Sequence, residues 1–429
     1  MEARLRMARR IEAHGGHGAG HIHYAYVIVL LGVLNTLGAQ GFLRFGYTMT
    51  LPSIRQELGL NFTQTGALAT ANYIGYTVAA LAVGLLVVRF GSRLTIGLAA
   101  STVGLAMILA GLTRSYELLL LLQILAGGAG LLATSPSLAL ATAWFARRRR
   151  GLAAGSMSAG APLGSLVTGL LIPALVLAYG VSGWRQGWLL LGGAVLVVGC
   201  LGLAFLRNRP ADVGLSPLGE YGEPADSPAG TPSVRWSLVY RSPLVWYLGL
   251  LGLASTLSNI SFTTFYASYL TRERGLDPET AGRFWALTGI FGVAGAFLWG
   301  WVSDRASRKF ALIFTYLVQG GAFALFALQA DPALYAFCAI LFGITSRANY
   351  AVMAALCGDL LGPRLGVAAF GVNNLFAGVG LALGPTAAGM IADSTSSFVP
   401  AFLLSALVAF LGALGSAFLH SPGRERLPD

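Results

Sequence analysis

Charge is scarce in this chain. Lys and Arg number 28 and Asp and Glu 17 among 429 residues, so 10% of positions are charged, against about 25% in soluble domains. With 55% of the residues apolar, too few charges remain to cover a water-facing surface, and most of the chain must face lipid. Histidine is missing between residues 24 and 419, and the one lysine is Lys309. A phosphate-cradling Gly-x-x-x-x-Gly-Lys-(Ser/Thr) loop is therefore absent, which argues against ATP-driven transport by this chain. A membrane enzyme would want a His-based acid–base pair or a metal cluster at depth, and the sequence offers neither. Cys200, Cys338 and Cys357 lie singly in apolar runs without metal or redox spacing, so they read as small buried hydrophobes and no cofactor is expected.

What is present is apolar and long. A membrane span needs roughly 20 apolar residues, and twelve stretches qualify: 24–51, 65–88, 94–113, 117–146, 151–179, 185–206, 242–270, 281–302, 310–329, 333–361, 365–392 and 398–419. No small-residue cleavage site follows the Arg- and His-rich arm of residues 1–23, so no cleaved signal is expected. His14, His17, His21 and His23 in that arm could hold a metal, but glycine flanks them and no acid or cysteine joins them, which favours a solvated tail.

The net charge of +11 could suggest nucleic acid, but its distribution does not. With the N-terminus inside, twenty Lys and Arg fall on the cytoplasmic side, including Arg147 to Arg150, and six fall outside: Arg55, Arg114, Arg185, Arg272, Arg274 and Arg283. The bias places both termini in the cytoplasm.

The chain repeats itself. Glu57-Leu58-Gly59-Leu60-Asn61-Phe62-Thr63-Gln64-Thr65-Gly66 parallels Glu273-Arg274-Gly275-Leu276-Asp277-Pro278-Glu279-Thr280-Ala281-Gly282 at an offset of 216 residues. The same offset relates Gly84 to Gly300, Arg89 to Arg305, Gly155 to Gly371 and Gly164 to Gly380. Such self-similarity marks a structural repeat. Residues 207–241 between the halves carry five prolines and four acids and read as a polar cytoplasmic linker. The expected architecture is all-α: twelve transmembrane helices in two pseudo-symmetric six-helix bundles, residues 24–206 and 242–420, with a tail at 421–429. Parallel repeats of this kind build transporters that rock around a central site.

Here the residues resemble the major facilitator superfamily, whose signature between spans two and three is Gly-x-x-x-Asp-Arg-x-Gly-(Arg/Lys)-(Arg/Lys). The second half carries Gly300, Asp304, Arg305, Arg308 and Lys309 in register, with Ser307 where Gly is usual; the first keeps Gly84, Arg89, Gly91 and Arg93 but has Val88 in place of the Asp. Within the superfamily, Arg44-Phe45-Gly46-Tyr47 through Leu51-Pro52, Ala71-Asn72-Tyr73-Ile74-Gly75-Tyr76, and Gly384-Pro385 through Gly389 and Asp393 are similar to bacterial organic-anion carriers of the oxalate–formate and monocarboxylate type. Departures limit what is carried over. Ala296 stands where monocarboxylate-type carriers place an Arg in span eight, and Gln123 where proton-driven drug exporters place one in span four; Pro162 is one residue out of the exporters' Gly-Pro register. The resemblance implies that the signature loops gate the cavity, Arg bonding helix-end carbonyls of the other half and Asp304 capping a helix. Plain topogenic charge is the competing reading, and the stronger one for Arg147 to Arg150.

Ionisable residues at membrane depth are costly and point to function. None of the 17 acids lies near a span centre, whereas Arg44 and Arg347 lie inside spans. Arg347 is about 21 Å along span ten and Arg44 about 12 Å from the outer end of span one, at 1.5 Å per residue. A buried cation without a counterion is unfavourable, and an anionic substrate would neutralise it, the planar guanidinium gripping a carboxylate bidentately. Two readings compete with this: Arg44 could snorkel outward, and Arg347 could bond the carbonyls of a broken helix. Helical spacing groups Gln40, Tyr47 and Thr48 with Arg44, and Tyr350 with Arg347; span two adds Asn72 and Tyr76, and span seven Asn259, Phe262 and Tyr266. The expectation is a monomeric secondary active transporter of a small organic anion in a bacterial inner membrane, working by proton symport or anion exchange. Export of a neutral or amphipathic solute is the alternative, and a non-transporting sensor on the same fold is a third class.

Overall fold

The computed structural model describes residues 23–219, 236–305, 307–329 and 331–419, apart from a few side chains within helices. The N-terminal arm up to residue 22, residues 220–235 of the linker and the tail lie outside them. Helices make up nearly all of the described chain. Nine stretches are long and apolar enough to cross a membrane: Ala25–Leu58, Phe62–Leu112, Tyr116–Trp144, Arg148–Phe205, Pro243–Glu273, Arg308–Leu328, Pro332–Leu361, Ala368–Thr395 and Val399–Phe418. Phe62–Leu112 has 51 residues and Arg148–Phe205 has 58, each enough for two crossings of a hydrocarbon core about 30 Å thick. The first folds back at Gly91, whose φ of 76° needs glycine, and the second at the short 3-10 turn Gly180–Ser182. With the helix Pro278–Arg305 these supply the twelve spans.

The repeat seen in the sequence has a structural counterpart. Gly59 and Gly275 both end a span in the left-handed conformation, with φ of 64° and 67°. Two residues on, Asn61 Oδ1 accepts from the Gln64 amide at 2.7 Å and Asp277 Oδ1 from the Thr280 amide at 2.8 Å, each starting the next helix. The Thr280 amide and hydroxyl hold the Asp277 carboxyl below its usual range. Glu57 accepts from Trp184 Nε1 at 2.6 Å and Arg185 Nε at 2.8 Å, tying span one to span six. Glu273 accepts from Ser397 Oγ at 3.0 Å and from the Phe398 amide, tying span seven to span twelve.

The halves meet at the end of the bundle opposite the termini, here called the distal end. The Asp393 carboxylate of span eleven accepts from the Phe62 amide at 3.0 Å, the Thr63 amide at 2.7 Å and the Thr63 hydroxyl at 2.7 Å, so it caps span two across the interface. Deeper in, the Thr70 hydroxyl donates to the Ala382 carbonyl at 2.6 Å. Near the termini end, Gly84, Gly155 and Gly371 face open space. Among the described residues the hydrogen bonds that join the halves lie on the distal side, while Leu81, Leu85 and Val88 of span two and Tyr350 of span ten are exposed, so the termini side is the more open one. The linker begins pinned to span four, the Leu218 amide donating to the Trp144 carbonyl at 2.9 Å.

Candidate substrate-binding cavity

Span one continues as helix to Leu58, beyond the boundary at residue 51 expected from hydropathy. Arg44 therefore lies about 21 Å from the distal end of its helix, deeper than the sequence suggested. It sits in a stretch of π-helix, Leu37–Phe45, a wide-turned form frequent at functional sites. Its guanidinium lies over two rings of span two, 4.8 Å from the Tyr73 centroid and 4.3 Å from that of Tyr76. It points into the bundle and does not snorkel.

Arg347 occupies the break in span ten. The helix Pro332–Thr345 stops, Ser346 and Arg347 form a turn, and helix restarts at Ala348. The break is about 22 Å from the distal end of that span, level with Arg44, with Tyr76 in span two and with Asn259 in span seven. Arg347 lies within electrostatic reach of Arg44, Tyr76 and Tyr350. Among the described residues no carboxylate pairs with either arginine, and no backbone carbonyl accepts from the Arg347 guanidinium. The restarting helix adds the positive end of its dipole at the same level.

Beside Arg44 a narrow cavity of about 20 Å³ is lined by Tyr47, Thr48, Asn72, Tyr73, Gln123, Thr263 and Thr264. That volume is on the scale of one water. The Tyr47 hydroxyl donates to the Thr65 carbonyl at 2.6 Å, and Asn72 Nδ2 to Gln123 Oε1 at 3.1 Å. Asn72 Oδ1 is buried without a partner, an acceptor poised for a donor group. Gln40 instead turns to Thr134, Nε2 to Oγ1 3.2 Å. The π-helical turns put it off the face that α-helical spacing assigned to it. Tyr350 is 60% exposed and faces the open side, edge-on to Phe370 at 5.1 Å.

Span seven is rotated from the expected orientation. Asn259 stays half-buried, with its Oδ1 3.3 Å from the Thr263 hydroxyl, and Thr263 and Thr264 line the cavity. Phe262 and Tyr266 do not. Both are fully buried in an aromatic cluster of the second half, the Phe262 ring 4.5 Å from Phe323, 4.8 Å from Phe326 and 5.0 Å from Phe342. Their apolar area is worth more packed against rings than turned to a wet cavity. Thr263, Thr264 and Gln123 were missed as lining residues; Thr263 could have been found as the i+4 neighbour of Asn259.

The described bonds of the signature loops lie within one half. Gly84 faces open space, and Arg89 lies over its neighbour Phe90 at 5.5 Å. Arg93 Nε donates to the Leu203 carbonyl at 2.8 Å, and Arg308 Nε meets Asp359 Oδ2 at 2.9 Å, each within its own half. Arg305 is exposed, and the side-chain positions of Gly300 and Asp304 lie outside the described residues.

The sequence profile of the Major Facilitator Superfamily matches residues 33–335 and 269–429. The chain belongs to this superfamily. It is 27% identical over 392 residues to a protein named as a probable sulfoacetate transporter in Cupriavidus necator, covering 88% of this chain and 90% of that one. It is 27% identical to a probable L-galactonate transporter of Escherichia coli, over 86% and 83% of the two chains. It is 25% identical to the hexuronate transporter of Bacillus subtilis, over 90% and 92%. Among solved structures the nucleoside transporter NupG superposes with a TM-score of 0.73 at 12% identity, over 91% of this chain and 99% of that one, a likeness of fold. This facilitator is thus a multi-pass membrane transporter of small molecules and not an enzyme.

Proposed function

We propose that this facilitator moves a small organic anion, a carboxylate or sulfonate, by alternating access between its two six-helix halves. The observation that carries this reading is the pair Arg44 and Arg347, level with each other at mid-membrane and without a carboxylate partner. An anion between them would neutralise two half-buried cations at once. The niche by Arg44 is too small for a sugar acid, so the solute's bulk lies on the open side, against Tyr76 and Tyr350. The three relatives are named for sulfoacetate, galactonate and hexuronate, all organic anions, in keeping with this chemistry.

The termini, linker and open end lie in the cytoplasm of a bacterium whose inner membrane holds the protein as a monomer. The cycle is proton symport or anion exchange. With no acid at the level of the site, a symported proton would travel on the solute or on a group nearer the rim. Counterflow tests the reading: proteoliposomes loaded with D-galacturonate should accumulate labelled D-galacturonate, and excess sulfoacetate should compete. Counterflow of a neutral amphipathic solute that ignores both anions would overturn it. An imposed pH gradient that drives uptake into empty vesicles selects symport over exchange.

A further inference from the structure

The distal end holds a second cavity, separate from the central one. It has a volume of about 360 Å³ and is lined from both halves, by Pro52, Arg55 and Phe62 of the first and Ser268, Thr271 and Arg272 of the second. That size matches small-molecule pockets. Arg55 lies about 16 Å beyond Arg44 along the same helix. The guanidinium of Arg55 is 4.1 Å and that of Arg272 is 4.6 Å from the centroid of the Phe62 ring. Two like charges are thus held against one ring.

The nearby carboxylates among the described residues are bonded elsewhere. Glu57 is bonded to Trp184 and Arg185, Glu273 to Ser397 and Phe398, and Glu279 to Arg283. Asp277 caps Thr280. Asp393 is within electrostatic reach of Arg55, but both its oxygens accept from Phe62 and Thr63. Among the described residues neither Arg55 nor Arg272 has an ion pair. Two polar groups there also lack partners: Arg55 Nε, and the hydroxyl of Ser268, a residue only 2% exposed. A wall with two cations, a free N–H donor, a free hydroxyl and a mostly apolar lining suits a small molecule with one anionic group and a compact body.

We propose that this distal vestibule is a second anion-binding site, which holds a soluble carboxylate or sulfonate while the central cavity faces the other side. The anion joins Arg55 of one half to Arg272 of the other and so favours the distally closed state. The class of solute rests on the transport reading above; the site itself rests on Arg55, Arg272 and Ser268. An anionic lipid headgroup carries the same chemistry, and the test separates the two sources.

Thr271→Cys in a Cys200→Ser background places a thiol in the vestibule, Cys338 and Cys357 being buried. In phosphatidylcholine nanodiscs an anionic sulfonatoethyl methanethiosulfonate should modify it at least tenfold faster than a cationic trimethylammonioethyl reagent. D-Galacturonate should slow the anionic reaction at least fivefold. Arg55→Gln with Arg272→Gln should bring the rate ratio near one and remove the protection, whereas Arg55→Lys with Arg272→Lys keeps the ratio. Arg44→Ala with Arg347→Ala should leave the protection in place, even if transport is lost. If that central pair removes protection, or if the parent shows no charge preference, the vestibule is no separate site. If phosphatidylglycerol protects and galacturonate does not, the occupant is a headgroup and the soluble-anion proposal falls. Protection that depends on Arg55 and Arg272, with transport untouched in the central pair, would sink the central reading and leave this one standing.

Discussion

Gly66 and Gly282 stand 216 residues apart and meet the opposite half in the same way. A Cβ on Gly66 would come within 2.3 Å of the Pro385 carbonyl oxygen, and one on Gly282 within 2.1 Å of the Gly169 carbonyl oxygen. Pro385 and Gly169 are themselves 216 apart. The distal contact is therefore one pair of helix crossings made twice, span two on span eleven and span five on span eight. Small residues let the backbones approach this closely.

Gly66→Val with Gly282→Val should force the distal contact apart. Overpacking costs about 1–3 kcal/mol per site, here charged to the distally closed state alone. Spin labels at Gln56→Cys and Glu279→Cys should show a longer distance population at the distal end. A distance distribution identical to that of the parent would mean that the two crossings do not set the closed state.

Asp393 latches the same end. Asp393→Ala removes three hydrogen bonds to the start of span two and should weaken distal closure by about 0.5–2 kcal/mol, the range for losing a helix cap. Asp393→Asn keeps an acceptor and should lose less. The same label pair reads the effect, and equal shifts in the two variants would contradict a capping role.

The charge bias predicts the orientation. Ser182→Cys in the Cys200→Ser background, in the turn between spans five and six, should react with an impermeant maleimide from outside intact cells. Reaction only after permeabilisation would invert the topology.

If the signature loop belongs to the gate, as the resemblance implies, Asp304→Asn should slow transport severalfold while leaving the affinity for D-galacturonate nearly unchanged. Loss of binding in a folded variant would move Asp304 into the site's support.

The spans, the fold-back turns and the repeat were legible because each rests on a local signal. Apolar length sets the spans, and Asn61 with Gln64 and Asp277 with Thr280 cap their helices as residue types alone suggest. The depth of Arg347 was legible for the same reason, being a count along one helix. The rotation of span seven was not. A helix apolar nearly all round has a weak moment, so Phe262 and Tyr266 could be assigned to the cavity as readily as Thr263 and Thr264. The π-helical stretch around Arg44 was hidden too, since it depends on how span one packs on its neighbours. Which end is closed lies beyond sequence patterning, because the same contacts must form and break in every cycle.

The central claim is that Arg347 holds the anion. Isothermal titration of the purified protein with D-galacturonate tests it most directly. Arg347→Ala should lose binding by about 2–5 kcal/mol, as when one member of a buried charge pair is removed. Arg347→Lys should restore little, since it keeps the charge and loses the planar fork. An Arg347→Ala protein that remains folded and binds galacturonate as tightly as the parent would make Arg347 a structural residue and contradict the account.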